Sequence, residues 1–154
     1  MEATEEALRI WRQLDEIEPG QRRLDLAYSL HNLGVILAEL GRHREALEVT
    51  REAVEIRRHM AETEPNLQRP YLAISLHSLG TLLHETDDVN SALNVFREAL
   101  AEWRACIEQD PQLYAAPYRR ELAHLRKQLE LQGRHDEAAA LDLGAPDASD
   151  QDAE

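Results

Sequence analysis

One cysteine, Cys106, stands in 154 residues, which excludes an internal disulfide and any zinc site built on several thiolates. Alone in a helical pattern, it reads as a small apolar packing residue. Aromatic residues make up only 5% of the chain against 43% apolar overall; such a Leu- and Ala-rich profile argues for helices rather than a β-sandwich, whose strands favour aromatic and β-branched residues. No run of 18 apolar residues occurs, and Met1 leads straight into Glu2, Glu5 and Glu6. Neither a membrane span nor a signal peptide is expected, and the cytoplasm is the default location. Lysine is nearly missing, Lys127 being the single one among 17 basic residues. Arginine of this dominance suits bidentate carboxylate recognition, although a GC-rich coding sequence produces the same bias.

A basic footprint is also lacking. The net charge is −13, and the closing stretch from His135 to Glu154 holds seven acids with no Lys or Arg, so more than half of the excess lies there. The remainder has the ordinary balance of a solvated helical surface. Phosphate backbones demand clustered positive charge, so nucleic acid is not an expected partner. Catalytic signatures are missing as well: there is no Gly-rich phosphate loop, nucleophile motif or zinc-deaminase pattern. Paired acids such as Asp87 and Asp88 suit helix starts. No enzyme activity and no cofactor are expected.

What the chain does contain is a repeat. Residues 26–58 and 72–104 align without a gap at an offset of 46, with 16 identities in 33 positions. Leu30, Leu33, Gly34 and Leu37 recur as Leu76, Leu79, Gly80 and Leu83, and Ala46 and Ala53 as Ala92 and Ala99. A weaker third copy follows, with Leu125, Leu129, Gly133 and Ala138. Repeats of this length signal stacked supersecondary units, because one helix pair cannot bury both of its faces.

In chain order, the pattern predicts a first helix over about 4–17, with Ala7, Trp11 and Leu14 at the i, i+4, i+7 spacing of the later second helices, stopped by Pro19 and Gly20. It reads as the second half of a unit whose first half is absent. The next helix, about 23–40, places Leu26, Leu30, Leu33 and Leu37 on one face, and Gly41 ends it in the left-handed conformation. Its partner spans about 43–62, closed by Glu64, Pro65 and Asn66. The second unit is expected over 69–109, its first helix starting near Pro70, with Asp87 in the place of the turn glycine and Asp88 or Asn90 as cap. The last pair spans about 117–132 and 134–143. Residues 144–154, with nothing apolar larger than alanine, form an expected disordered acidic tail. One domain over 1–143 accounts for the rest.

The pattern resembles the tetratricopeptide repeat, on Leu30, Leu33, Gly34, Leu37, Gly41, Ala46 and Ala53 and again on Leu76, Leu79, Gly80, Leu83, Ala92, Phe96 and Ala99. The long period, the SLHNLG segment and Glu55–Arg57 are similar to the extended variety of kinesin light chains and of bacterial multidomain signalling proteins. The third copy departs from the pattern, with Arg126 in place of the glycine. The resemblance implies an all-α, right-handed superhelical solenoid of antiparallel pairs with about seven helices, acting as an interaction module, scaffold or adaptor.

It also implies that the first helix of each pair lines a concave groove. The inward set is then Tyr28, His31, Asn32, Val35 and Glu39 in the first unit. The second unit contributes Ile74, His77, Ser78, Thr81, His84 and Glu85, and the third Arg120, His124 and Lys127. These are mostly polar groups able to hold a peptide or partner domain through hydrogen bonds. Four histidines lie on this wall, but His77 and His84 are separated by about 10.5 Å of helix, too far for one metal ion, and no metal is expected. Protonation of these histidines below neutrality would strengthen binding of acidic peptides. A Lys and Asn clamp for a C-terminal carboxylate is not reproduced at His31, Val35, His77 and Thr81. The alternative function is self-association: the orphan helix bearing Trp11 has an apolar side that could pair with a second copy, or with the missing unit of a larger signalling polypeptide.

Overall fold

A computed structural model describes residues 6, 9, 10, 12, 13 and 21–142. Six helices follow one another among the described residues: α1 (Gln21–Glu39), α2 (His43–Thr63), α3 (Pro65–Glu85), α4 (Val89–Gln109), α5 (Pro111–Leu131) and the short α6 (His135–Ala140). Each packs against the next, and α1 also touches α3. The result is three antiparallel pairs, α1–α2, α3–α4 and α5–α6, stacked in sequence order.

The tight turn inside each pair has one design. Gly41 and Gly133 adopt φ of +73° and +70°, and Asp87 takes the same left-handed conformation at +65°. Aspartate is among the few residues other than glycine that enter this region readily. In all three turns the amide three places beyond the helix bonds back five residues: Arg42 to Leu37 at 2.8 Å, Asp88 to Leu83 at 2.9 Å and Arg134 to Leu129 at 2.9 Å. These are Schellman closures, which satisfy the last carbonyls of the first helix. Asp88 caps α4 by accepting the Ser91 amide at 3.2 Å.

Between pairs there is almost no loop, and here the structure corrects the expected boundaries. Helix α3 begins at Pro65 rather than near Pro70, and α5 at Pro111 rather than Pro117; Pro70 and Pro117 lie inside the helices. A proline that ends one helix is also suited to the first position of another, where its missing N–H has no intrahelical role. Asp110 completes the start of α5 by accepting the Leu113 amide at 3.0 Å. Helix α6 stops at Ala140, short of the expected 143. Six described helices stand against about seven expected, because most of the region assigned to the first helix, Trp11 included, lies outside the described residues, as does the 144–154 tail.

The core follows the repeated leucines. Leu26, Leu30, Leu33 and Leu37 are all buried with Ala46 and Ala53, and Leu72, Leu76, Leu79 and Leu83 with Ala92, Phe96 and Ala99. Close approach within each pair occurs at one repeat position, occupied in turn by Gly34 against Thr50, Gly80 against Phe96 and Arg126 against Asp142. The third pair thus replaces a glycine contact with an ion pair and packs its second helix through Ala138. Charge also records the register on the outer helices. Arg58 grips Glu98 with Nε and Nη2 at 2.8 and 2.6 Å, and Arg12 grips Glu52 in the same way one repeat earlier. Residue 12 therefore stands to α2 as α2 stands to α4, the relation expected of a preceding second helix.

Candidate functional site

Helices α1, α3 and α5 lie side by side, and their exposed faces carry every residue of the expected inward set; none of these residues is buried. Two clefts run in line along this wall. The larger, about 400 Å³, lies between α3 and α5 and is lined by Ile74, His77, Ser78, Arg120 and His124 together with Trp103, Pro117 and Glu121. The smaller, about 200 Å³, lies between α1 and α3 and brings together Val35, Glu39, His77, Ser78, Thr81 and Glu85 over a floor of Gly34, Ala38, Thr50 and Leu82. His77 and Ser78 border both. Tyr28, His31, Asn32, His84 and Lys127 stand on the same helices but line neither cleft.

Polar ties across units set the geometry of the wall. His31 Nδ1 lies 3.5 Å from the Ser75 hydroxyl. One repeat later, His77 Nδ1 lies 2.9 and 3.2 Å from the two carboxylate oxygens of Glu121. Ser75 and Glu121 occupy the same repeat position, so one histidine-to-next-unit link is built twice with different chemistry. Glu121 is only 5% exposed, and His77 is its hydrogen-bond partner. His77→Ala is expected to cost about 1–3 kcal/mol by leaving a buried carboxylate unpaired. His84→Ala on the same helix, where the described side chain makes no hydrogen bond, is expected to stay within about 0.5 kcal/mol of the parent. Thermal melts of the two variants compare them directly.

His77, Phe96 and His124 form a ring cluster beneath the larger cleft, with centroids 4.6 to 5.5 Å apart. Burial, with His77, His84 and Lys127 nearby and Glu121 opposing, holds His124 below the ordinary imidazole range. Burial and then the Arg57 charge do the same to His31. Both therefore resist protonation, which works against the expected gain of charge by these two side chains just below neutrality. An imidazole neutral in the fold but titrating near 6.5 when unfolded binds more protons in the unfolded chain. Its contribution to stability is complete above about pH 6.5 and shrinks as the pH falls toward the folded value. The melting temperature is expected to be lower at pH 5.5 than at pH 8, with a smaller difference in a His31→Gln, His124→Gln double variant.

Among the described residues, no three His, Cys, Asp or Glu side chains converge as metal ligands. Burial, assisted by Glu102 and opposed by Arg69, pushes the Cys106 thiol up to about 11, a group held as an inert thiol in the core.

Three residues lining the larger cleft were not in the expected set, Trp103, Pro117 and Glu121, nor were the four that floor the smaller one. Trp103 belongs to a second helix, outside the rule that first helices line the groove. Glu121 carried a signal, its offset of 44 from His77 matching that of Ser75 from His31.

A family model described as the tetratricopeptide repeat matches residues 26–64 and 72–105. The chain belongs to the tetratricopeptide-repeat family. The repeats are of the kinesin light chain type, and the matched residues fall within α1 to α4, the two units that share the clean 46-residue period. Membership implies a protein–protein interaction module with protein partners. A comparison with curated proteins finds no match to the chain. No helix among the described residues is long and apolar enough to cross a membrane.

Proposed function

We propose that this tetratricopeptide-repeat chain is an adaptor that holds an extended or helical segment of a protein partner along the wall formed by α1, α3 and α5. The observation that carries this reading is the pair of clefts in line, sharing His77 and Ser78. Apolar side chains stand exposed on the same wall, Val35 at 42% and Ile74 at 46%. A row of apolar contacts framed by hydrogen-bonding groups is what a peptide segment requires. The second unit is the centre of the site, since it borders both clefts.

A photo-reactive residue placed at Ser78 tests this in cell lysate. It should capture a discrete protein that the same group at Arg51, exposed on α2, does not. Capture from both positions alike, or from Arg51 alone, would put the binding surface elsewhere. Light scattering of the purified chain shows whether the captured species is a second copy, the outcome that favours self-association.

A further inference from the structure

The two halves of the groove differ at one repeat position. An offset of 46 relates Arg57 to Trp103, Tyr71 to Pro117, His31 to His77 and Tyr28 to Ile74. Around Trp103 this set encloses the larger cleft. Around Arg57 it encloses a guanidinium instead. Arg57 Cζ lies 5.3 Å from the centroid of the Tyr71 ring on α3, and its charge acts on His31 of α1, so the head group sits between those two helices at the base of the wall.

Among the described residues this arginine has no anionic partner. It is only 6% exposed, yet among the described residues it forms no hydrogen bond and no ion pair, and its Nε is wholly shielded without an acceptor. Its neighbour Arg58, less buried, is paired with both Glu55 and Glu98. A buried guanidinium without a counter-charge is expensive, and the face of Tyr71 offsets only part of that cost, leaving its N–H donors idle. The Nη groups are not fully shielded as Nε is, and they form the accessible end of the head group.

We propose that Arg57 anchors a subsite for a single carboxylate, an aspartate or glutamate side chain of the bound segment, received between α1 and α3. A lone guanidinium beside a neutral histidine matches one negative charge, whereas phosphoryl groups are held by clusters of cations. Elsewhere the groove carries acids of its own: Glu39 and Glu85 line the smaller cleft, and in the larger one Arg120 is accompanied by Glu121. An acidic residue is therefore received best at Arg57, whose charge no carboxylate among the described residues offsets, and Arg57 fixes the register of the segment. This subsite rests on the groove reading above.

The test is an NMR titration with N-acetyl-aspartate methylamide, its asparagine counterpart and phenyl phosphate, at constant ionic strength. The aspartate compound should shift the Arg57 Nε–H and Tyr71 ring signals saturably, the asparagine compound should not, and phenyl phosphate should bind no better. In Arg57→Gln the Tyr71 response should vanish while the Trp103 indole signal stays in place, showing an intact fold. Shifts common to the aspartate and asparagine compounds, a Tyr71 response that survives in Arg57→Gln, or preference for phenyl phosphate would each overturn the carboxylate subsite. Small anions need no groove-length ligand, so a saturable response in a chain that captures no protein would uphold the subsite and remove the adaptor reading. A captured partner bound equally well by Arg57→Gln would remove the subsite alone.

Discussion

Phe96→Ala is expected to lower stability by about 3–5 kcal/mol, the largest single effect in the chain. The ring is 1% exposed, fills the contact with Gly80 inside the second pair, and supports His77 and His124 from below. Its loss opens a cavity at the point where α3, α4 and α5 meet, and the fixed backbones around it can close the space only in part. With roughly 2–4 °C of melting temperature per kcal/mol in a chain of this size, the shift is readily seen by circular dichroism. The two histidine ring signals should lose their ring-current shifts in the same variant, because the aromatic face beside them is gone.

Gly80→Ala is the second large effect, from a single added methyl. Its Cβ would lie 2.5, 2.7 and 2.9 Å from three atoms of the Phe96 ring, inside any tolerated contact, and the ring is hemmed in by two imidazoles. Overpacking of this kind costs about 1–3 kcal/mol, against a gain of about 0.5–1 kcal/mol from replacing a mid-helix glycine. Gly34→Ala meets the Thr50 hydroxyl instead, a small group that turns aside by changing rotamer, and should cost less. The two effects are coupled. In a Phe96→Ala background the methyl enters vacated space, so Gly80→Ala should become neutral or stabilising. A double-mutant cycle measures that reversal, and strictly additive losses would mean the two side chains do not meet.

Much of this architecture was legible because identical packing demands identical residues. Gly34 and Gly80, or Leu30 and Leu76, announce a shared environment by recurring at 46, and the helix pairs follow. The helix starts were harder for a definite reason: Glu64–Pro65 and Asp110–Pro111 each end one helix and begin the next, and a sequence pattern shows the stop more plainly than the start. The groove's chemistry was legible only where it repeats. Its distinctive groups sit where the copies disagree, with Arg57 facing Trp103 and Ser75 facing Glu121 across the offset. A search for sameness passes over such positions. Burial reveals them, because an arginine at 6% and a glutamate at 5% exposure must be explained by what they touch.

The ring cluster shows the same limit. His77 and His124 are 47 residues apart, one place out of register, and no periodic argument pairs them. They meet, with centroids 4.8 Å apart, because α3 and α5 present adjacent faces over Phe96.

Calorimetry of the captured partner against Ile74→Asp and Arg51→Glu tests the central claim most directly. Ile74 stands exposed on the inner wall and Arg51 on the outer helix of the first pair. The groove account predicts at least about tenfold weaker binding for Ile74→Asp, about 1.4 kcal/mol, and near-parent affinity for Arg51→Glu. Parent-like binding by Ile74→Asp, with the loss appearing in Arg51→Glu instead, would contradict it.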